Sequence, residues 1–464
     1  MQHHFHPTIL RAYDIRGIVG ETLHDADAHA IGFGLGAIVR TSGGSRVAIC
    51  RDGRLSSPQL AAALKDGLIA AGMSVCDIGE GPTPLLYFAD RHLACDAAIQ
   101  VTGSHNPPTH NGFKMVLGHA PFFGEEIQRL GRMMAAGVDS AAGGTSENID
   151  LNAAYLDAIT AAAGEITGLD DQTVIWDCGN GATGPLTEAL TANLAGHHKV
   201  LFAEVDGRFP NHHPDPVDPE TLDLLRAAVA DDHALMGIGF DGDGDRIGII
   251  DNKGRQVPGD LLTAYLARGA ISRNADAAII FDVKSSLAAL DAVSRAGGMP
   301  SLWKTGHSHM KTRLKQTGAP LAGEMSGHIF IAENYFGYDD ALFAALAILS
   351  ETARSGETLA DFLDNLPPVH ATPELRIPCP DEIKFDIVRQ VVTDVAGAPD
   401  SDQQDITDID GVRVTGDLGW WLIRASNTGA ELVARAEGRD EAGRDELRSR
   451  IRTRLAAAGL NWQG

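Results

Sequence analysis

The chain has 464 residues, room for about three ordinary domains, and its 44% apolar and 22% charged residues are the balance of a globular protein rather than a disordered one. A formal net charge of −24 without any Lys/Arg-rich run excludes nucleic acid as a partner, whereas an anionic small molecule remains open because a few cations focused in one cleft suffice to hold it. Five scattered cysteines (Cys50, Cys76, Cys95, Cys178 and Cys379) include no CxxC pair, which argues against a zinc or disulfide framework and predicts reduced thiols in a cytoplasmic protein.

The opening segment, Met1-Gln2-His3-His4-Phe5-His6-Pro7, lacks the apolar core of a secretion signal. Residues 47–50 form the first short apolar run, which ends at Arg51-Asp52-Gly53 and gives way to Ser57-Pro58 and an Ala/Leu-rich helical pattern. The same order of apolar run, Asp, polar turn and helix recurs at Val174-Ile175-Trp176-Asp177 and at Ala278-Ile279-Ile280-Phe281-Asp282. Continuous apolar strands followed by helices predict parallel sheets with helices on both faces, and the repetition predicts three related α/β domains. Residues 135–145, rich in Ala, Gly and Ser, read as a linker, as does Leu366-Pro367-Pro368-Val369. The longest apolar run, 341–349, is too short to span a membrane and reads as a buried helix. Beyond residue 369 the texture changes. Strand-like segments at 374–377, 411–415, 419–424 and 431–437 accompany helical spacing at 381–395 and 440–458. The expected architecture is three α/β domains with mixed, mostly parallel sheets (1–150, 151–256 and 257–367) and a C-terminal α+β domain (368–464), arranged around a central cleft.

Four segments carry chemistry. Thr102-Gly103-Ser104-His105-Asn106-Pro107-Pro108 follows the apolar strand 97–101, which places Ser104 on an exposed loop at the carboxyl edge of a sheet, where α/β folds bind ligands. Thr102 stands where a G-x-S-x-G nucleophile turn needs its first Gly. Phe240-Asp241-Gly242-Asp243-Gly244-Asp245-Arg246 alternates carboxylates with glycines, so three acidic side chains converge on a tight turn. Oxygen-only ligands suit Mg²⁺ or Ca²⁺. An EF-hand is disfavoured, because Arg246 and Asn252 occupy its Gly and Glu positions. The coincident Gly237, Gly239 and Gly242 spacing is followed by a strand rather than the helix a dinucleotide site needs. Gly323-Glu324-Met325-Ser326-Gly327-His328 offers an acid, a hydroxyl and an imidazole to a sugar, or caps a helix. Arg424-Ala425-Ser426-Asn427-Thr428-Gly429 supplies a fixed charge and short donors, the makings of a phosphate cradle. No Walker A sequence occurs.

In this order, and over essentially the whole chain, these segments resemble the α-D-phosphohexomutase superfamily, and within it the bacterial phosphomannomutase/phosphoglucomutase branch. The resemblance implies four domains. It implies reversible phosphoryl transfer between the 1- and 6-positions of mannose or glucose phosphates, through a phosphoserine and a hexose 1,6-bisphosphate that is both intermediate and activator. Ser104 would carry the phosphoryl group, and Asp241, Asp243 and Asp245 would hold Mg²⁺ together with a phosphoserine oxygen. Arg246 would lie beside them, and Glu324 and Ser326 would grip the sugar hydroxyls. Arg424, Ser426, Asn427 and Thr428 would bind the non-reacting phosphate. Tyr13-Asp14-Ile15-Arg16-Gly17 brings Tyr13 to the substrate and Arg16 to the phosphoserine, and Gly112-Phe113-Lys114 supplies a general acid/base lysine. Lys284, Gly306 and His307 match further ligand contacts, and His328 shares the acid/base work. Met325 favours the mannose/glucose branch over the glucosamine branch. Gly429-Ala430 departs from a family Pro, a change that loosens the loop. The resemblance also implies a monomer.

As a base, Lys114 would need a depressed pKa, from burial or neighbouring cations. The C-terminal domain would close near Pro367-Pro368 to exclude water. The competing readings are a phosphoglucosamine mutase, a sugar-phosphate-binding protein without turnover, and a calcium-binding module.

Overall fold

The computed structural model describes residues 1–398, 404–427 and 429–462; of the expected site residues, Thr428 alone lies outside them. Each apolar run that leads to its Asp forms an interior strand of a sheet. In the first sheet, Arg46–Arg51 lies between the parallel strands Ala97–Val101 and Ser74–Glu80. Thr145–Asn148 adds a further parallel strand at one edge, while His110–Leu117 and then Ile15–Ile18 extend the other edge antiparallel. The linker predicted at 135–145 therefore ends by entering this sheet.

In the second sheet, Thr173–Asp177 pairs parallel with His197–Leu201 and Met236–Phe240, and Ile247–Asp251 then returns antiparallel. In the third, Ala278–Asp282 lies between Met299–Trp303 and Leu321–Gly323, with Ile329–Ile331 antiparallel at the edge. The C-terminal sheet is antiparallel throughout: Glu431–Gly438, Gly419–Ala425, Val412–Gly416 and Asp405–Thr407 pair in succession, and Leu375–Pro378 and His370–Ala371 both pair with Glu431–Gly438. Helices Lys384–Ala396 and Glu441–Ala457 cover one of its faces.

Local signals set the helix ends. Proline sits in the first turn of Ser57–Ala70, Thr83–His92 and Gly184–Thr191, where its missing N–H costs nothing. The apolar run at 341–349 is the start of the buried helix Ala341–Ser355, capped by the Asp340 carboxylate and ended by Gly356 at φ 66°. No helix among the described residues is long and apolar enough to cross a membrane.

The cores divide unevenly. One apolar cluster runs unbroken from Leu85 and Phe88 through Tyr155, Trp176 and Ile238 to Phe281 and the helix Ala341–Ser355, fusing the first three sheets into one body. The C-terminal sheet has its own core around Val391, Trp421, Ile423 and Ile451. It meets the third sheet through a small patch of Val283, Trp420 and Leu422 and through buried polar contacts. Arg413 donates to the carbonyls of Val283 and Ser285, both at 2.7 Å, and Glu437 accepts from Ser286 Oγ and Leu287 N, both at 3.0 Å.

Candidate active site

The loop after Ala97–Val101 is shaped by the Asp that ends the neighbouring strand. Asp52 Oδ2 accepts from Thr102 Oγ1 at 2.8 Å and from Gly103 N at 3.0 Å, and Thr102 Oγ1 in turn accepts from Ser104 N at 2.8 Å. Arg54, only 1% exposed, donates to the carbonyls of Ser104 (2.6 Å), Pro107 (2.7 Å) and His110 (3.0 Å), and its Nε lies 3.2 Å from Asp52. A Cβ at Gly103 would stand 2.4 Å from that guanidinium, so only glycine fits. Thus held, Ser104 adopts φ 49°, a left-handed conformation that non-glycine residues reach only under local constraint. Ser104 is 2% exposed, not exposed as expected from its loop position, because the glycine-flanked acidic turn of the second sheet closes over it. A Cβ at Gly242 would meet the Ser104 carbonyl at 2.6 Å.

That turn connects the antiparallel strands Met236–Phe240 and Ile247–Asp251, and all three of its carboxylates are 0% exposed. Ser104 Oγ donates to Asp241 Oδ2 at 2.9 Å. Asp241 Oδ1 also accepts from the amides of Asp245 (3.1 Å) and Arg246 (3.2 Å), which closes the turn on itself. Burial, and then the charges of Asp243 and Asp245, push the Asp241 carboxyl well above the usual carboxylate range. The oxygens Asp243 Oδ1 and Asp245 Oδ1 are buried with no hydrogen-bond partner among the described residues. The three residues bring ligating atoms within 4.8 Å of one another. Orphaned carboxylate oxygens in a converging all-oxygen set fit a hard divalent cation.

Lys114 reaches the same carboxylates from His110–Leu117, donating to Asp243 at 2.7 Å and to Asp245. Burial works against its charge, but Asp243 and Asp245 outweigh burial and raise its pKa. The depressed pKa expected of a lysine base, from burial or neighbouring cations, is therefore not found: the lysine is buried, but the carboxylates around the ammonium outweigh that burial. Thr83, which sequence reasoning missed, ties the turn to the first sheet by donating through Oγ1 and N to Asp243.

Glu324, Ser326 and His328 occupy the turn between Leu321–Gly323 and Ile329–Ile331. His328 Nδ1 lies 3.0 Å from Glu324 and 3.1 Å from Ser326 Oγ, while its Nε2 lies 3.4 Å from Asp245 and 3.4 Å from Arg246 Nε. Burial favours the neutral ring, yet Asp245 raises His328 to about 9. Burial likewise opposes the Glu324 charge, but His328 and the Gly306 amide hold its carboxyl at about 2. Met325 N donates to Asp282, the Asp that ends the third repeat, and Thr305 Oγ1 donates to it at 3.1 Å. Asp282 thus organises the Glu324 loop as Asp52 organises the serine loop. Gly306, at φ 123°, leaves space for Tyr13, whose ring a Cβ would meet at 2.6 Å.

Tyr13 joins three domains: its hydroxyl donates to the Thr305 carbonyl at 2.8 Å and accepts from Asn427 Nδ2. Arg16 faces the serine loop, donating to Gly103 O (3.1 Å) and Asn106 Oδ1 (2.7 Å). Arg424 is buried against Asp410 at 2.9 Å, and Asp410 also accepts from Thr305 N at 3.0 Å. Lys284 pairs with Glu374 at 3.0 Å. The Gly429-Ala430 segment, expected to be loose, is tied down by Lys384, which donates to the Gly429 carbonyl at 2.9 Å, and by Cys379 N, which donates to the Ala430 carbonyl at 2.9 Å. The serine loop, acidic turn, Glu324 loop and Arg424 loop are therefore joined in one site. Asp52, Arg54, Asp410 and Glu374 were not anticipated as parts of it, although Asp52 was visible as a strand-ending Asp.

Four sheets each lend one polar loop to this site, where an acidic triad lies beside a buried serine. Four matches describe the chain in order: phosphoglucomutase/phosphomannomutase alpha/beta/alpha domain I over residues 7–137, domain II over 153–254, domain III over 258–370, and the C-terminal domain over 374–454. A phosphomannomutase/phosphoglucomutase of Pseudomonas putida is 43% identical, covering 97% of this chain and 95% of its own length. A phosphoglucomutase of Neisseria gonorrhoeae is 40% identical, covering 96% of both chains. The crystal structure of a phosphoglucomutase/phosphomannomutase family protein from Burkholderia thailandensis superimposes with a TM-score of 0.90 at 39% identity, covering 98% of each chain. The chain belongs to the phosphoglucomutase/phosphomannomutase family.

Proposed function

We propose that this phosphohexomutase interconverts the 1- and 6-phosphates of mannose, glucose or both, with Ser104 as the phosphoryl carrier. The observation that carries this reading is Ser104 Oγ, buried in a constrained loop and 2.9 Å from Asp241 of the acidic triad. Mg²⁺ held by Asp241, Asp243 and Asp245 would polarise phosphoryl oxygens and offset their developing charge.

The chain's own groups do the rest. Phosphoryl transfer asks mainly for positioning and charge stabilisation. Arg16 at the serine loop and Arg246 beside the triad supply fixed positive charge. A sugar hydroxyl attacks the phosphoserine phosphorus, its proton passes to a basic group, and the bond from phosphorus to Ser104 Oγ breaks. His328 and Lys114 are the candidates for proton exchange: against burial, Asp243 and Asp245 favour the cationic form of Lys114 and Asp245 that of His328, which suits either to give a proton to the departing Ser104 oxygen, and the group that has given its proton is then free to accept the one from the attacking hydroxyl. Glu324 and Ser326 grip sugar hydroxyls, with Met325, Gly306, His307 and Lys284 around them.

Arg424, Ser426, Asn427 and Thr428 hold whichever phosphate is not reacting, so a hexose 1,6-bisphosphate that turns end for end meets the same cradle. The same bisphosphate would prime unphosphorylated enzyme. All four loops come from one chain, which is consistent with action as a monomer, and five free buried cysteines are consistent with the cytoplasm.

The test is a coupled mutase assay on mannose 1-phosphate and glucose 1-phosphate, with Mg²⁺ and trace glucose 1,6-bisphosphate, comparing the natural chain with Ser104→Ala. Turnover abolished in the variant supports the relay, and undiminished turnover in the variant refutes it.

A further inference from the structure

A carboxylate stands beside the phosphate cradle proposed above, where on charge alone it would repel a phosphate and weaken the site. It is Asp410, in the short connection between Asp405–Thr407 and Val412–Gly416, and Gly411 follows it at φ 77°. A Cβ at Gly411 would stand 2.2 Å from the Ile423 carbonyl and 2.7 Å from Arg424 Cα, so only glycine lets this connection lie against the strand that carries Arg424. The same connection packs Ile409 against the apolar patch of Val283, Trp420 and Leu422 that joins the third and fourth sheets.

One oxygen of Asp410 does two things. Its Oδ2 accepts from Arg424 Nε at 2.9 Å and from Thr305 N at 3.0 Å. Among the described residues Arg424 has no other side-chain hydrogen bond or ion pair, so no other group there sets the direction of its guanidinium. Burial opposes the Arg424 charge, and Asp410 is the strongest of the groups that favour it. Held through Nε, the guanidinium keeps both terminal nitrogens, neither of them sealed from solvent, for two-pronged donation to a phosphate.

Thr305 is the other end of the tie. Its carbonyl accepts from Tyr13 OH at 2.8 Å, its Oγ1 donates to Asp282 at 3.1 Å, and the next amide, Gly306 N, donates to Glu324. Contacts therefore run from Arg424 through a single carboxylate oxygen to the Glu324 loop, across the boundary between the fourth sheet and the third. We infer that Asp410 is a positioning residue for substrate binding: its Oδ2 aims Arg424 at the non-reacting phosphate and holds it in register with the Glu324 loop, so that both ends of one sugar phosphate are met together. The inference rests on the reading of Arg424 as a phosphate ligand.

Steady-state kinetics of the full-length, Mg²⁺-saturated enzyme on glucose 1-phosphate test it, using Asp410→Ala, Asp410→Asn, Arg424→Met and the double variant of Asp410→Ala with Arg424→Met. Asp410→Ala removes the oxygen and is expected to raise KM about 10-fold, with kcat within about threefold of the natural chain. Asp410→Asn removes the charge but keeps an acceptor oxygen, and its KM is expected within about threefold of the natural value. In the Arg424→Met background Asp410→Ala should cost less than about twofold further. A KM unchanged or lowered in Asp410→Ala, the result if Asp410 acts only as a charge, overturns the inference. So do a defect confined to kcat, an Asn variant as impaired as the Ala variant, and a double variant whose losses multiply. Arg424→Met with an unchanged KM instead overturns the phosphate reading on which the inference rests. Should Asp410→Ala unfold early, Asp410→Glu keeps the charge and shifts the oxygen by one methylene. It is expected to raise KM about as much, and an unchanged KM in this variant also overturns the inference.

Discussion

Replacing Arg54 by Met would test whether the serine loop is held where the structure places it. The guanidinium is buried, donates to the Ser104, Pro107 and His110 carbonyls, and lies 3.2 Å from Asp52. Met keeps much of the volume but none of the donors. Hydrogen bonds to a charged group are worth about 1.5–3 kcal/mol each, and breaking a buried ion pair from one side costs about 3–5 kcal/mol. These terms overlap, and Asp52 keeps its bonds to Thr102 and Gly103, so a loss of about 4 kcal/mol is expected. If most of it appears as Ser104 leaving its reactive position, kcat should fall about 1,000-fold. Among the described residues no hydrogen bond or ion pair joins Arg54 to the Arg424 or Glu324 loop, so KM should change little. Steady-state kinetics on glucose 1-phosphate, with thermal unfolding as a control, give the answer. A folded Arg54→Met enzyme within threefold of the natural kcat would refute the account of the loop, as would a variant whose defect lies wholly in KM.

Other perturbations reach other parts of the cleft. Asp243→Asn removes one triad carboxylate and a Lys114 partner; Mg²⁺ affinity by calorimetry should drop at least about 10-fold, and unchanged affinity would place the ion elsewhere. Tyr13→Phe deletes the hydroxyl that bridges Thr305 and Asn427, worth about 1 kcal/mol; KM should rise about fivefold with kcat nearly constant, a split visible in initial-rate data. Burial opposes the charge on Glu374, but Lys284 holds its carboxyl at about 2 instead of 4.5. A depressed carboxylate stabilises the fold fully above its unfolded value, and that contribution disappears as pH falls from about 4.5 toward 2. Unfolding followed from pH 5 to pH 2.5 should therefore show an acid-sensitive component that Lys284→Met abolishes, and equal acid profiles for the two chains would contradict it. Closure of the C-terminal domain on substrate should appear as compaction in solution scattering, and an unchanged radius of gyration with glucose 1,6-bisphosphate bound would exclude it.

What the sequence disclosed followed from how local the chemistry is. The acidic triad, Glu324 to His328, and Arg424 to Asn427 each lie in one short segment, so residue type and spacing drew attention to them, and the resemblance to a family then suggested their roles. The strand-ending Asp52, Asp177 and Asp282 marked the three repeats in the same way, because each closes a continuous apolar strand. The contacts that escaped notice join residues far apart in sequence: Thr83 with Asp243, Lys284 with Glu374, Asp410 with Thr305. The charge state of Lys114 escaped for the same reason, since its carboxylates come from a loop 129 and 131 residues away. Flexibility was legible only in part. The Pro367-Pro368 break pointed to a hinge, but what would let the domain beyond it move is the division of the cores. Three sheets share one apolar cluster, and separating them would expose Phe88, Tyr155 and Trp176 to water at a cost that no ligand contact offsets. The fourth sheet keeps its own core and meets the third through a small apolar patch and hydrogen-bonded polar groups, whose exchange for water costs far less. The loop proposed to grip the non-reacting phosphate thus sits on the unit whose separation costs least, as the proposed turning of a bisphosphate within the site would require.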